Sequence, residues 1–140
     1  MAYRSEKEGI DMALKYLLDT DVIIWNLRNH EPTREILISI KNDQPIGCSV
    51  ISVYEIWIGV RKKEYEITQQ LLNELYKIPI DGNIAMKAAE YWREFRAKGI
   101  TLGQADAIIA ATANILNLTL ITYNRSHYPM DDIAFYEQRK

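Results

Sequence analysis

The feature that most constrains this chain is an alternation of short, almost wholly apolar runs with longer stretches whose apolar residues recur at helical spacing. A short run without polar positions suits a strand covered on both faces. Strands joined through helices pair in parallel by right-handed crossovers. Lys15-Tyr-Leu-Leu18, Ile46 to Ile51 and Leu118 to Thr122 are runs of this kind. Pro79 confines Lys77-Ile-Pro-Ile80 to an edge or a loop, and Ile133 to Tyr136 reads as a last edge strand. The pattern predicts an α/β domain with a central, mainly parallel sheet of about four to five strands and helices on both faces.

Helix boundaries follow from local chemistry. Asp19-Thr-Asp21 opens a first helix that runs through Leu27, with Asp21 as its cap. Pro32 and Thr33 open a second, Arg34 to Lys41, which Asn42, Asp43 and Pro45 end. Ser52-Val-Tyr-Glu55 has capping-box spacing, so a helix is expected to start at Ser52 and to place Arg61, Lys62 and Lys63 at its negative end. Thr68 to Tyr76 reads as another. Asp81 caps Gly82 to Lys98, where Ile84, Ala88, Tyr91, Trp92 and Phe95 share a face and Gly99 stops the run. Thr101-Leu-Gly-Gln104 repeats the capping-box spacing ahead of the Ala-rich stretch Asp106 to Asn117.

At 140 residues the chain is the size of one domain, and 48% hydrophobic with 26% charged residues suits a globular protein. A single cysteine, Cys48, excludes an intrachain disulfide and a thiolate zinc finger, and fits a reducing cytoplasmic setting. Residues 1–11 are polar, lack the apolar core of an export signal, and read as a poorly ordered extension before a domain spanning 12–140. No apolar run approaches the roughly 20 residues of a membrane span. The net charge of -2 gives no overall attraction for a polyanion, so local clusters must decide function.

In parallel α/β sheets ligands bind beyond the carboxyl ends of the strands. Asp19 follows the first strand, Glu55 lies on the helix after the second, Asp106 stands in the first turn of the Ala-rich helix, and the Asn124 to His127 loop follows the later strand. Three carboxylates gathered within about 4 Å repel by roughly 4 kcal/mol per pair at an effective dielectric of 20, a large share of a domain stability of about 5–15 kcal/mol. Protonation, a buried basic residue or a divalent cation can neutralise them. Oxygen donors without paired Cys or His select Mg²⁺ or Mn²⁺ over zinc. Such an ion can acidify water and offset charge on an attacked phosphodiester, which points to phosphodiester hydrolysis. Against this stand simpler duties: Glu55 as the far end of a capping box, Asp106 as a dipole partner, Asp21 as a cap. Thr20, Ser52, Thr122 and Asn124 serve equally as hydrogen-bond supports or as turn and cap residues.

Taken together, Tyr16-Leu-Leu-Asp-Thr-Asp-Val-Ile-Ile24, Ser52-Val-Tyr-Glu55, Gln104-Ala-Asp-Ala-Ile-Ile-Ala-Ala-Thr-Ala113 and Leu120-Ile-Thr-Tyr-Asn-Arg-Ser-His-Tyr128 resemble PIN-domain proteins, specifically VapC-type toxin ribonucleases of type II toxin–antitoxin systems. The resemblance implies a three-layer PIN-like fold and a Mg²⁺- or Mn²⁺-dependent endoribonuclease with Asp19, Glu55 and Asp106 as catalytic metal ligands. Thr20, Thr122, Asn124 and His127 would support them. It also implies an RNA substrate, a VapB-like antitoxin that inserts a segment in or near the acidic groove, and a homodimer. Many members carry a fourth acid where this chain has His127, which leaves open whether one metal or two is held.

Two other readings remain. A haloacid dehalogenase-like phosphatase would use Asp19 as nucleophile and Asp21 as acid, but it needs a further acidic pair behind a buried strand, and Asp131-Asp132 after His127-Tyr-Pro-Met130 reads as loop. A catalytically inactive PIN-like module would bind RNA or protein, with His127 marking a decayed site. Arg61, Lys62, Lys63, Arg93, Arg96, Lys98 and Arg125 are candidates for steering RNA, or simply solvated helix faces. Trp25, Trp57 and Trp92 are candidates for a dimer surface, or for the core.

Overall fold

Tyr16–Leu18 forms the central strand, β1, and the computed structural model, which describes residues 14–41 and 45–137, buries all three of its residues. Side chains alternate across a strand. Tyr16 and Leu18 therefore join one core with Val22, Ile36, Ile56 and Leu72, while Leu17 joins the other with Ile84, Tyr91, Ile109 and Leu120. A strand buried on both faces explains why its run carries no alternation.

The elements follow as α1 (Thr20–Leu27), α2 (Glu31–Lys41), β2 (Ile46–Ser49), α3 (Val50–Gly59), a 3₁₀ turn (Lys62–Glu64), α4 (Tyr65–Asn73), β3 (Tyr76–Ile78), α5 (Gly82–Ala97), α6 (Gln104–Leu116), β4 (Thr119–Ile121), a second 3₁₀ turn (Arg125–His127) and β5 (Ala134–Phe135). The five strands lie in the order β3-β2-β1-β4-β5, and every pairing is parallel. Helices α1 to α4 cover one face; α5 and α6 cover the other. This is the three-layer α/β fold expected. Leu18 pairs with both Cys48 and Ile121, so the chain reverses its direction of travel across the sheet between β1 and β4. The carboxyl ends of β1, β2 and β4 thus open side by side at a topological switch point.

Several boundaries differ from expectation, each for a local reason. Asp19, rather than Asp21, caps α1, its carboxylate accepting from the Thr20 amide at 2.7 Å. β2 ends at Ser49, and Ser49 caps α3 by accepting from the Ile51 amide, so Ser52 is a buried helix residue and no capping box forms there. Helix α6 is entered through Gly103 with no side-chain cap, so Thr101 and Gln104 form no box either. Helix α4 starts at Tyr65 and ends at Asn73, which frees Tyr76 to start β3 on the sheet edge just ahead of Pro79. Asp81 does cap α5, accepting from the Ile84 amide, and Gly99, at φ 82°, ends that helix in a backbone conformation natural to glycine. The extension at 1–11, with Asn42 and Asp43, falls outside the described residues.

Candidate active site

Four carboxylates stand near the carboxyl edge of the sheet: Asp19 at the end of β1, Asp21 in the first turn of α1, Glu55 on α3 and Asp106 in the first turn of α6. Asp19 leaves β1 and is 5% exposed. Its Oδ1 accepts from the Thr20 amide and its Oδ2 from the Thr122 hydroxyl at 2.7 Å, so β1 and β4 fix it jointly. The Thr122 hydroxyl in turn accepts from the Asn124 amide at 2.9 Å, which ties the loop after β4 to the same carboxylate.

Glu55 arrives from α3. Thr20 Oγ1 lies 2.7 Å from Glu55 Oε1 and 2.8 Å from Ser52 Oγ. With its single hydrogen given to the carboxylate, Thr20 is left to accept from Ser52. The spacing that resembled a capping box instead puts Ser52 and Glu55 one turn apart on the helix face that meets α1.

Asp106 occupies the first turn of α6, and Gly103 leaves room for it: a Cβ there would stand 3.0 Å from Asp106 Oδ2. The Tyr128 hydroxyl donates to Asp106 Oδ1 at 3.3 Å, and the Asp19 carboxylate is near enough to the same phenol to disfavour its ionisation. His127 Nδ1 stands 3.4 Å from Asp106 Oδ2. Asp21 belongs to the cluster too. Its Oδ2 accepts from the Tyr123 amide at 3.2 Å and from the Asn124 side-chain amide at 2.9 Å.

Of the candidate site residues, Asp19, Thr20, Glu55, Thr122 and Asn124 are joined by hydrogen bonds, and Asp106 with His127 adjoins them beside Tyr128. Tyr128 was missed. Its phenol, fully buried, sits between two acids remote in sequence, and the only local trace is its place at the end of the loop after β4.

The electrostatics are those of a site short of positive charge. Burial, then the neighbouring Asp19, pushes the Asp21 carboxyl up to about 6. Burial and Asp19 also raise Asp106, against the pull of His127. Burial and the two facing aspartates hold the Tyr128 phenol well above its ordinary range, so it remains a donor. Asp21 Oδ1 is buried without a hydrogen-bond partner.

Among the described residues no three acids or imidazoles are gathered at the spacing of a formed metal cage. The donor set still fits a hard divalent cation: oxygen ligands, raised carboxyls and an orphaned buried acceptor. From Glu55 a cavity of about 400 Å³ extends between α1, α3 and α4, with Arg28 and Arg61 on its wall.

The phosphatase alternative finds no support here. Asp132 accepts from the Tyr91 hydroxyl at 2.6 Å and faces Lys87 at 3.6 Å, a separate structural cluster.

The sequence profile of the PIN domain matches residues 16–135. Among similar proteins, Ribonuclease VapC10 of Mycobacterium tuberculosis is 36% identical over 114 residues, covering 81% of this chain and 86% of that protein. Ribonuclease VapC19 of the same organism is 28% identical over 116 residues, covering 81% and 92%. Among solved structures, FitAcB from Neisseria gonorrhoeae superposes with a TM-score of 0.73 at 27% identity, covering 87% of this chain and 96% of that one. DNA-bound VapBC from Salmonella typhimurium gives 0.79 at 23% identity, covering 88% and 97%, a likeness of fold.

Proposed function

The chain belongs to the PIN-domain family, and from that premise we propose that it is the endoribonuclease toxin of a toxin–antitoxin pair, cutting RNA phosphodiesters at the carboxyl edge of its sheet. The observation that carries the reading is the convergence of Asp19, Glu55 and Asp106, from three different elements, through Thr122, Thr20 and Tyr128. Convergence over such sequence distances, with the Asp106 carboxyl raised as its cost, supports a functional site over three separate caps.

In this reading Asp19 and Asp106 hold Mg²⁺ or Mn²⁺, with Glu55 completing the set. When bound, the cation supplies the charge that acidifies water and offsets the charge built up on the phosphodiester. The chain's own residues do the positioning. Thr122 and the Thr20 amide orient Asp19; Thr20 orients Glu55; Tyr128 keeps its proton between Asp19 and Asp106 and limits their rotation. Asn124 braces the loop by donating to Asp21. His127 stands against Asp106 at the position where the family resemblance leads one to expect a further acid, which supports a single cation over two.

A VapB-like antitoxin is the proposed partner, in keeping with a neighbour described as a toxin–antitoxin complex from Klebsiella pneumoniae at 26% identity and a TM-score of 0.67. The homodimer is carried as part of the same proposal. An apolar recess of about 540 Å³ between α5 and α6, lined by Ile80, Ala88, Trp92 and Ile108, offers it a surface. Among the described residues no helix is long and apolar enough to cross a membrane.

The test is cleavage of single-stranded RNA by purified protein in chelator, then with Mg²⁺ or Mn²⁺ restored. Cleavage confined to the restored sample is expected. Equal cleavage in chelator, or none in either, contradicts the proposal.

A further inference from the structure

We propose that Trp25, His30 and Tyr123 form a base-stacking platform at the rim of the acidic site, on which nucleobases of a single-stranded RNA rest beside the bond to be cut; this rests on the ribonuclease reading above.

Placement comes first. Trp25 lies four residues after Asp21 on α1, hence on the same helix face. Tyr123 directly follows Thr122, the residue that holds Asp19, and its own amide donates to Asp21. The rings therefore continue outward from the carboxylates along both α1 and the loop after β4.

The rings also form a continuous, fixed surface. The Trp25 and His30 rings are 4.8 Å apart between centroids at a 47° tilt, and His30 meets Tyr123 edge-on at 6.2 Å. Trp25 is 40% exposed and Tyr123 37%, so part of each ring reaches solvent. Beneath them Thr33, fully buried on α2, hydrogen-bonds both His30 Nδ1 and the Tyr123 hydroxyl, each at 2.7 Å. One buried hydroxyl thus locks two surface rings. Side chains ordered in advance lose little entropy when a ligand arrives.

Chemistry selects the occupant. Four carboxylates repel a polyanion, and the net charge of -2 gives no general attraction, so affinity for RNA must come largely from elsewhere. Unpaired bases supply it by stacking on aromatic faces, a contact available to any base. The Arg28 guanidinium, 5.9 Å from the Trp25 ring centroid, adds a cation where an adjoining phosphate would pass.

The test is steady-state cleavage of a labelled single-stranded oligoribonucleotide by the full chain, by Trp25→Leu and Tyr123→Leu, and by Tyr65→Ala as a control ring outside the platform, half exposed on α4. Circular dichroism checks that each variant keeps the wild-type fold. Each leucine variant is expected to raise KM about tenfold with little change in kcat, while Tyr65→Ala stays near the wild type. An abasic ribose scanned along the substrate is expected to raise KM for the wild type at a position where it no longer matters to the leucine variants. Unchanged KM in both leucine variants overturns the platform and leaves the ribonuclease reading standing. Unchanged KM with lost binding of a co-expressed VapB-like antitoxin assigns the rings to a protein partner and also overturns it. RNA neither bound nor cut by the wild type overturns both readings.

Discussion

The molecule contains two groups of acids, treated in opposite ways. Beside α5, Asp132 in the segment before β5 has its charge met within the fold: Lys87 faces it at 3.6 Å and the Tyr91 hydroxyl donates to it at 2.6 Å. At the carboxyl edge of the sheet, Asp19, Asp21, Glu55 and Asp106 receive hydroxyls and amides but, among the described residues, no Lys or Arg ion pair; His127 on Asp106 is their only ionisable partner of opposite sign. Hydrogen bonds orient a carboxylate without cancelling its charge. The first group is complete as folded. The second keeps its charge unmet by any Lys or Arg among the described residues, which is what the proposed cation would answer.

The contrast yields its largest effect in activity. Asp19→Asn or Asp106→Asn is expected to lower RNA cleavage by about a hundredfold or more, the scale of losing one electrostatic stabiliser. Asp132→Asn is expected to leave it near the wild-type rate. Gel-resolved cleavage rates check this, and a comparable loss in all three would erase the distinction.

Stability should sort the other way. Asp132→Asn weakens a charged hydrogen bond and is expected to cost about 1 kcal/mol, a fall in Tm of roughly 3–5 °C. Asp106→Asn relieves repulsion and should leave Tm unchanged or raised in the absence of metal. Thermal unfolding followed by circular dichroism separates the two.

The smallest effect is on pH dependence. Asp21, held at about 6, and Asp106, also raised, bind protons more tightly folded than unfolded. Metal-free stability is therefore highest below pH 4 with respect to these groups and declines as pH rises to about 6, beyond which Asp21 is ionised in both states. Asp21→Asn should flatten that decline and Asp132→Asn should not, read as Tm across pH 4 to 7.

Much of this was legible in the sequence. The apolar run ending at Asp19, the capped helix from Asp81 to Gly99 and the Ala-rich helix behind Asp106 each follow from local chemistry, and local chemistry is what a sequence displays. The parts that resisted were ambiguous locally. Asp19 and Asp21 are both competent caps, and only the contact of Asp21 with Tyr123 and Asn124 decides between them. Ser52 and Glu55 have a spacing shared by a capping box and by any two residues on one helix face. The serine three places earlier, at the strand end, took the cap. Tyr128 touches acids 22 and 109 residues away in the chain, contacts that exist only once β1, β4 and α6 are assembled.

The most direct measurement is calorimetric titration of Mn²⁺ into the wild type, Asp19→Asn, Asp106→Asn and Asp132→Asn. A saturable binding event in the wild type and Asp132→Asn, lost in the other two, is the predicted result. Binding that survives in Asp106→Asn, or that is missing from the wild type, would contradict the claim that these carboxylates are assembled to share a cation.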